Sequence, residues 1–167
     1  MTVSDNTYLE AQYLLERAMG DRDVNSDVTM VPDGHEHMHL LIKQLPMPDL
    51  APAGEIEYPT PMGAAGWQPQ QLKVNFQGQV TLHETVRGHV RTFLEQIIKS
   101  PNRGRFNATI YRGTPDRHRG GFRIVDCFLT VEPTDRDWEN RSQVTSISAT
   151  MFGHYFATDK IPSNYVE

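Results

Sequence analysis

The chain has 167 residues, of which 38% are hydrophobic and 22% are charged. This length and composition predict one globular domain, residues 1–167, and exclude a largely disordered chain. The formal net charge of −5 argues against a protein that grips nucleic acid, because such proteins usually carry a basic excess.

Several features of the sequence indicate where the protein folds. No apolar run approaches the roughly 20 residues of a membrane-spanning helix. The amino terminus, MTVSDNTYLE, lacks the basic start and apolar centre of a secretory signal. The lone cysteine, Cys127, lies in a strand pattern and is predicted to be a buried free thiol. We therefore expect folding in a reducing cytoplasm, without a membrane anchor.

The amino-terminal part predicts a helix followed by an arm, together spanning residues 1–34. Thr7-Tyr8-Leu9-Glu10 fits a capping box, apolar residues follow at helical spacing, and Gly20 suits the helix end. The polar segment from Asp21 to Gly34 has no clear period and predicts a loop.

The next segment predicts one strand and one long loop. Met38, Leu40 and Ile42 alternate, which favours a strand ending at Leu45-Pro46. Residues 50–70 are rich in proline and glycine and predict a long loop, with Glu55-Ile56-Glu57-Tyr58 as a short extended piece.

The second half alternates strand and helix patterns. Residues 72–82 predict a strand with one buried face and one polar face, and the polar face carries Asn75, Gln77 and Gln79. An amphipathic helix over Val86 to Lys99, capped by Thr85, follows. Strands 108–112 and 121–131 predict a hairpin around a charged loop, and the last strand spans 143–156. The tail after residue 158 predicts a loose segment.

One metal-binding hypothesis rests on the run Gly34-His35-Glu36-His37-Met38-His39. Imidazole is a common ligand of zinc, copper and nickel, and the three histidines would share one strand face. Along a strand the outer pair would be about 13 Å apart, so one ion joins two neighbours at most. A solvated or interface strand face is the simpler interpretation, and no metal or cofactor is predicted.

A nucleic-acid hypothesis rests on the loop from Arg112 to Arg123, which contains Arg117-His118-Arg119. Its flanking aromatics, Tyr111 and Phe122, occupy positions where a hairpin needs core residues. An exposed turn, or a contact with a neighbouring subunit through Arg117 and Arg119, is the simpler interpretation.

Catalytic motifs are not found in the sequence. There is no G-x-S-x-G elbow, no phosphate loop and no dinucleotide fingerprint. The acidic residues Asp126 and Glu132 are followed by Asp135 and Asp137 in a turn, whose composition accounts for them without acid–base chemistry. The chain is predicted not to be an enzyme.

Three passages resemble the tail tube proteins of contractile-tailed bacteriophages. They are the step Leu45-Pro46-Met47-Pro48, the strand Leu72-Lys73-Val74-Asn75-Phe76 leading into the Val86–Lys99 helix, and the carboxy-terminal strand pair around Asp137-Trp138. The likeness covers about two thirds of the chain. The three-histidine segment departs from the family pattern.

The resemblance implies an α+β, mainly β fold with two packed antiparallel sheets, a flanking helix and an inter-subunit β-barrel. It implies a virion structural protein that forms stacked homohexameric rings, a conduit for DNA ejection. Partners would be further copies of the chain, sheath and baseplate proteins, and viral DNA passing without specific binding. The protein would be assembled in the host cytoplasm and lie in the virion tail.

The resemblance also implies roles for particular residues. Polar side chains on two strands would face the lumen, and charged side chains would contact neighbouring subunits. The lumen candidates are Asn75, Gln77, Gln79, Ser146 and Ser148, and the inter-subunit candidates are Arg117, Arg119, Glu55 and Glu57. Two alternatives stay open: a tube-end adaptor, terminator or baseplate tube-initiator ring, and a small metal- or nucleic-acid-binding module using the segments described above.

Overall fold

The computed structural model describes residues 5–158 and 160–165. In that part of the chain, two α-helices and nine strands alternate with short turns. The helices are α1 (Asn6–Ala18) and α2 (His89–Lys99). The strands are β1 (Thr29–Pro32), β2 (Ile42–Gln44), β3 (Glu55–Pro59), β4 (Ala65–Pro69), β5 (Asn75–His83), β6 (Phe106–Gly113), β7 (His118–Val131), β8 (Ser146–His154) and β9 (Lys160–Ile161).

Seven strands form one antiparallel sheet in the order β1-β6-β7-β8-β5-β2, with β9 beside β7. The long strand β7 belongs to both halves of this sheet, because its first part pairs with β6 and its later part with β8. Between these two parts of β7 the register shifts at Asp126, whose φ is +52°. This register shift is a β-bulge, and β-bulges bend a strand. The sheet therefore curls into a nearly closed, barrel-like form.

The core lies inside the curled sheet and under α2. On β8, Ile147, Ala149 and Met151 are buried, whereas the intervening side chains are partly exposed. The apolar stripe of α2 packs into the same cluster through Val90, Phe93 and Ile97. The predicted fold class is confirmed: the fold is α+β and mainly β. Its two packed sheets are halves of one continuous sheet.

Close packing explains two glycines in this core. A Cβ at Gly78 would lie 2.3 Å from the Cβ of Pro46. A Cβ at Gly153 would lie 2.8 Å from the sulfur of Cys127. Both positions therefore need the absence of a side chain.

The amino-terminal prediction is correct for the helix and wrong for the arm. Helix α1 is capped by Asp5, whose Oδ1 accepts a hydrogen bond of 2.8 Å from the Tyr8 N–H, rather than by Thr7. The segment predicted to be a loop contains β1, which adds an antiparallel edge strand to β6. Salt bridges from Asp23 to Arg112 and from Asp33 to Arg123 attach this segment to the sheet.

Three further expectations are wrong. Residues Glu36–Leu40 form a 3-10 helix instead of a strand, so only Ile42–Gln44 is extended. Residues predicted to be a long loop contain the β3–β4 hairpin, which pairs only with itself. The tail is not loose over 160–165, because β9 pairs with β7 and the Asn164 N–H donates to the His118 carbonyl at 3.1 Å. Residues 159, 166 and 167 lie outside the described residues.

Candidate assembly surface

The outward face of β5 and β8 brings the predicted lumen residues together. In the antiparallel register, Gln79 lies opposite Thr150, Thr81 opposite Ser148, and His83 opposite Ser146. Residues directly opposite each other share a face of the sheet. All the lumen candidates therefore lie on one side of the sheet, away from the core: Asn75, Gln77, Gln79, Ser146 and Ser148.

Side-chain hydrogen bonds cross this face between strands. The Gln79 amide donates to the Thr150 hydroxyl at 3.4 Å, and the Thr81 hydroxyl donates to Gln44 Oε1 at 3.3 Å. Gln44 was not among the predicted lumen residues, because the strand predicted around it had the wrong bounds. Thr130 of β7, which lies opposite Thr150, was not among them either. These two residues widen the face across four strands, and Lys73 borders it beside Asn75 and Gln77.

An aromatic pair lies at one end of the same face. The rings of Phe128 and Phe152 stack with centroids 5.0 Å apart and an interplanar angle of 12°. Phe128 faces outward because the bulge at Asp126 shifts the register of β7. The break in alternation lies between Ile124 and Cys127, two buried residues that are three positions apart instead of two.

The polar face ends at two unpaired strand edges within the described residues. Strand β2 pairs with β5 only at Leu82 and Thr81, so β5 has no partner strand on that side from Asn75 to Val80. Strand β6 pairs with β7 only as far as Cys127, so 128–131 has β8 on one side alone. Open edges offer backbone donors and acceptors to another chain.

The predicted basic patch is divided by contacts within the chain. Arg112 binds Asp23 at 3.2 Å, and Arg123 binds both Asp33 and the Thr109 hydroxyl. Only the turn residues point elsewhere: the guanidinium carbons of Arg117 and Arg119 lie 4.4 and 5.5 Å from the Tyr165 ring centroid. This arrangement leaves no continuous basic groove among these arginines.

The acidic inter-subunit candidates lie on the hairpin. Glu55 and Glu57 belong to β3, and every residue of β3 is exposed. Trp67, opposite Glu57, is 64% exposed, and Met62 at the hairpin tip is fully exposed. The described residues show no contact between these glutamates and Arg117 or Arg119, so the two candidate pairs occupy separate surfaces.

The histidines predicted to share a strand face lie instead around a 3-10 turn. The ring of His35 packs edge-on against Phe93 at a centroid distance of 5.0 Å. His39 Nδ1 contacts the Glu36 carbonyl. Among the described residues, no group of three histidine, cysteine or acidic side chains is placed to hold a metal ion.

Cys127 is fully buried, as predicted. Burial, together with the charge of Asp126, raises the pKa of the thiol to about 12. The sulfur therefore stays protonated at neutral pH, and the thiolate form needed for nucleophilic chemistry is scarce.

No helix in the described part of the chain is both long and apolar enough to span a membrane. No protein-family model and no curated protein matches the sequence.

Solved structures share the architecture over most of the chain. A chain of the extended PVC sheath–tube complex, an extracellular contractile injection system, matches with a TM-score of 0.57 at 10% identity, over 83% of this chain and 92% of that chain. The chain has a fold found in contractile injection systems. A chain of the extended PVC sheath/tube terminator matches with a TM-score of 0.56 at 11% identity, covering 82% and 98%.

A third solved structure has a similar fold. A chain of the anti-feeding prophage tube-terminating cap matches with a TM-score of 0.55 at 10% identity, over 80% of this chain and 88% of that chain. The resemblance predicted from the sequence is thus confirmed for the fold.

Proposed function

We propose that this chain is a structural subunit of a tail tube, which assembles into stacked hexameric rings that form a conduit. The observation that carries the proposal is the polar, mostly uncharged face on β2, β5, β8 and the end of β7, with an open strand edge on each side. The open edges beside this face become paired only when further copies of the chain extend the sheet.

Ring closure follows from the two edges. If the open end of β7 pairs with the open part of β5 in the next subunit, the contact is head-to-tail and closes on itself at the correct rotation. Closure would turn the polar face into the wall of a barrel and remove the exposed edges, which are otherwise an aggregation hazard.

The chemistry of the wall suits a passage for DNA. Binding of DNA phosphates depends mainly on lysine and arginine, which release counterions from the duplex. The strands of this face offer amides and hydroxyls, including Gln77, Gln79 and Ser148, and the nearest fixed positive charge is Lys73 at its end. Phosphates would thus meet few positive charges there. Viral DNA would therefore pass without specific binding.

Contacts beyond one ring would use the remaining exposed groups. The β3–β4 hairpin, with Glu55 and Glu57, and the turn carrying Arg117 and Arg119 are separate charged surfaces. We assign them to contacts with neighbouring subunits, with sheath and baseplate proteins as outer partners. The subunit would be assembled in the host cytoplasm and lie in the virion tail.

A second candidate is a ring at one end of a tube, as an adaptor, terminator or tube initiator. It is favoured by the match to chains from a tube-terminating cap and from a sheath/tube terminator. An end ring would use the same lateral contacts but would block further stacking on one side.

Negative-stain electron microscopy of the purified protein tests both candidates. Hollow tubes of varying length are expected for a tube subunit, and single rings that do not elongate are expected for an end ring. A protein that stays monomeric at high concentration by light scattering would contradict both.

A further inference from the structure

Helix α1 packs against no other helix or strand of the described residues closely enough to bury a side chain. None of its residues is buried, although Tyr8, Ala11, Leu15 and Ala18 lie along one face, extended by Met19 at the helix end. Tyr8 is 57% exposed, Leu15 60% and Met19 78%. A helix of this length is marginally stable alone in water, and most helices are held by packing of their apolar face. The apolar face of α1 is therefore open to contact with a neighbouring chain.

An apolar groove lies elsewhere on the same chain. It has a volume of about 350 Å³ and runs between the end of α2, the turn 103–105 and the unpaired edge of β7. Ile98 is 68% exposed, Phe128 40% and Val131 37%, so the groove is unfilled in the single subunit. Its remaining apolar lining is Leu94, Ile97 and Leu129.

The charges of the two surfaces are complementary. Helix α1 carries Glu10, together with Glu16, which pairs with Arg22 at 2.6 Å, whereas Arg103 and Arg105 lie at the groove. Neither arginine side chain has a hydrogen bond or an ion pair among the described residues. Opposite charges at the border of an interface steer association and fix its orientation.

We propose that α1 of one subunit docks into this groove on the next subunit of the ring. The apolar face of an amphipathic helix would then fill a hydrophobic groove, with Leu15 as the central anchor. This inference rests on the proposed ring, because the groove borders the β7 edge that was assigned to the contact between subunits. Each subunit gives one helix and receives one, so a closed ring leaves no apolar helix uncovered.

The chain has the reach that this exchange needs. Residues 20–28, between α1 and β1, span at most about 30 Å when extended. Within the described residues, an exposed salt bridge between Asp23 and Arg112 holds the middle of this segment to the sheet, and a backbone hydrogen bond of 2.9 Å from the Gly113 N–H to the Asp27 carbonyl holds its end. Exposed ion pairs of this kind are weak, so the part of the segment before Asp27 can release from its own subunit.

Disulfide trapping between separately prepared subunits tests the proposal. Leu15→Cys protein is mixed with Ile98→Cys protein, allowed to assemble and then oxidised. We expect a covalent mixed dimer. The matched control is Arg17→Cys, on the opposite face of α1, which is expected to give no mixed dimer. The buried Cys127 does not compete, because it is inaccessible in the folded subunit.

The outcomes separate this inference from the proposed function. If rings form but no mixed dimer appears, helix exchange is overturned while the proposed ring stands. The same holds if a variant carrying both Leu15→Cys and Ile98→Cys forms its disulfide only within one chain. Wild-type protein that forms no rings counts against the proposed function itself. A second variant, Leu15→Asp, is expected to lose ring assembly while the monomer keeps its thermal unfolding midpoint. Ring assembly that is unchanged in Leu15→Asp also contradicts the proposal.

Discussion

At the start of α2, one carboxylate satisfies three backbone donors. Glu84 accepts hydrogen bonds from the N–H groups of Thr85 at 2.8 Å, Val90 at 3.0 Å and Arg91 at 3.1 Å. Burial alone would raise the pKa of Glu84, but these hydrogen bonds and the charge of Arg91 lower it below its ordinary value. Glu84 is therefore the main side-chain cap of this helix.

The direction of the pKa shift fixes how stability depends on pH. Because the pKa is lower in the folded state, the stabilisation from Glu84 is complete above the unfolded pKa of about 4.3. It is lost as the pH falls through the folded pKa. Glu84→Gln is expected to lower the free energy of unfolding by about 1 kcal/mol at pH 7, a typical cost for losing a cap.

Urea unfolding at pH 7 and at pH 3 measures this effect. The difference between Glu84→Gln and wild type should shrink at the lower pH, where the wild-type carboxyl becomes protonated. Glu139→Gln, in an exposed loop, serves as the control and should change little at either pH. An equal loss for Glu84→Gln at both values would contradict the capping account.

Single residues show where sequence patterns lose information. The sequence indicated Thr85 as the cap of a helix starting at Val86. The Thr85 hydroxyl does accept a hydrogen bond of 3.3 Å from the His89 N–H, yet the helix starts at His89 and Val86 is fully exposed. The cause is Gly88, whose φ of +75° interrupts helical geometry and lets Glu84 fold back over the first turn. Glu84 lies five positions before the first residue of α2, and a side-chain cap at that distance has no local sequence signature.

At the scale of elements, periodic segments were predictable and short ones were not. Strands β5 and β8 and helix α2 have long patterns, because each buries one continuous face in the core. The brief alternation of Met38 and Leu40 was misleading: Met38 is fully buried, but Leu40 is 77% exposed on a 3-10 turn. Strands β1, β3, β4 and β9 depend on pairing with distant or exposed segments, which local periodicity does not record.

The 3-10 turn leads to a prediction about zinc. His35 packs on Phe93, His37 lies edge-on to His35, and His39 contacts local backbone. Equimolar zinc is therefore expected to leave the thermal unfolding midpoint nearly unchanged. A bound ligand at a hundred times its dissociation constant would add about 2.7 kcal/mol. Stabilisation of that size, if abolished by His37→Ala and His39→Ala, would show that a metal site exists. Differential scanning calorimetry with and without zinc makes the comparison.

At the scale of the whole molecule, one curled sheet separates two environments. Its inner face holds the core, including Val80 and Met151, while the outer face of β5 and β8 carries mostly neutral polar groups between two open edges. The helix α1, the hairpin and the turn at Arg117 then extend from this body as exposed surfaces. Such a subunit has a complete core of its own, and its unpaired strand edges remain available for assembly.

Charge placed on the outer face should affect transport rather than folding. Gln77→Arg is expected to leave the subunit folded and tube assembly normal, since Gln77 is exposed and outside the core. Each ring would then carry a circle of positive charge, which adds salt-sensitive attraction to passing DNA. We expect impaired genome delivery in an infection assay, with Gln77→Asn as the neutral control. Normal delivery by Gln77→Arg would contradict the passage of DNA along this face.

The most direct test of the account is whether the polar face lines the interior of an assembled tube. Gln77→Cys is labelled in preformed tubes and in dissociated subunits with a bulky polymer maleimide. Val86→Cys, on an exposed turn outside that face, is the matched control. The account predicts that Gln77→Cys reacts in free subunits but is protected in tubes, whereas Val86→Cys reacts in both. Equal labelling of Gln77→Cys in tubes and in free subunits would contradict it.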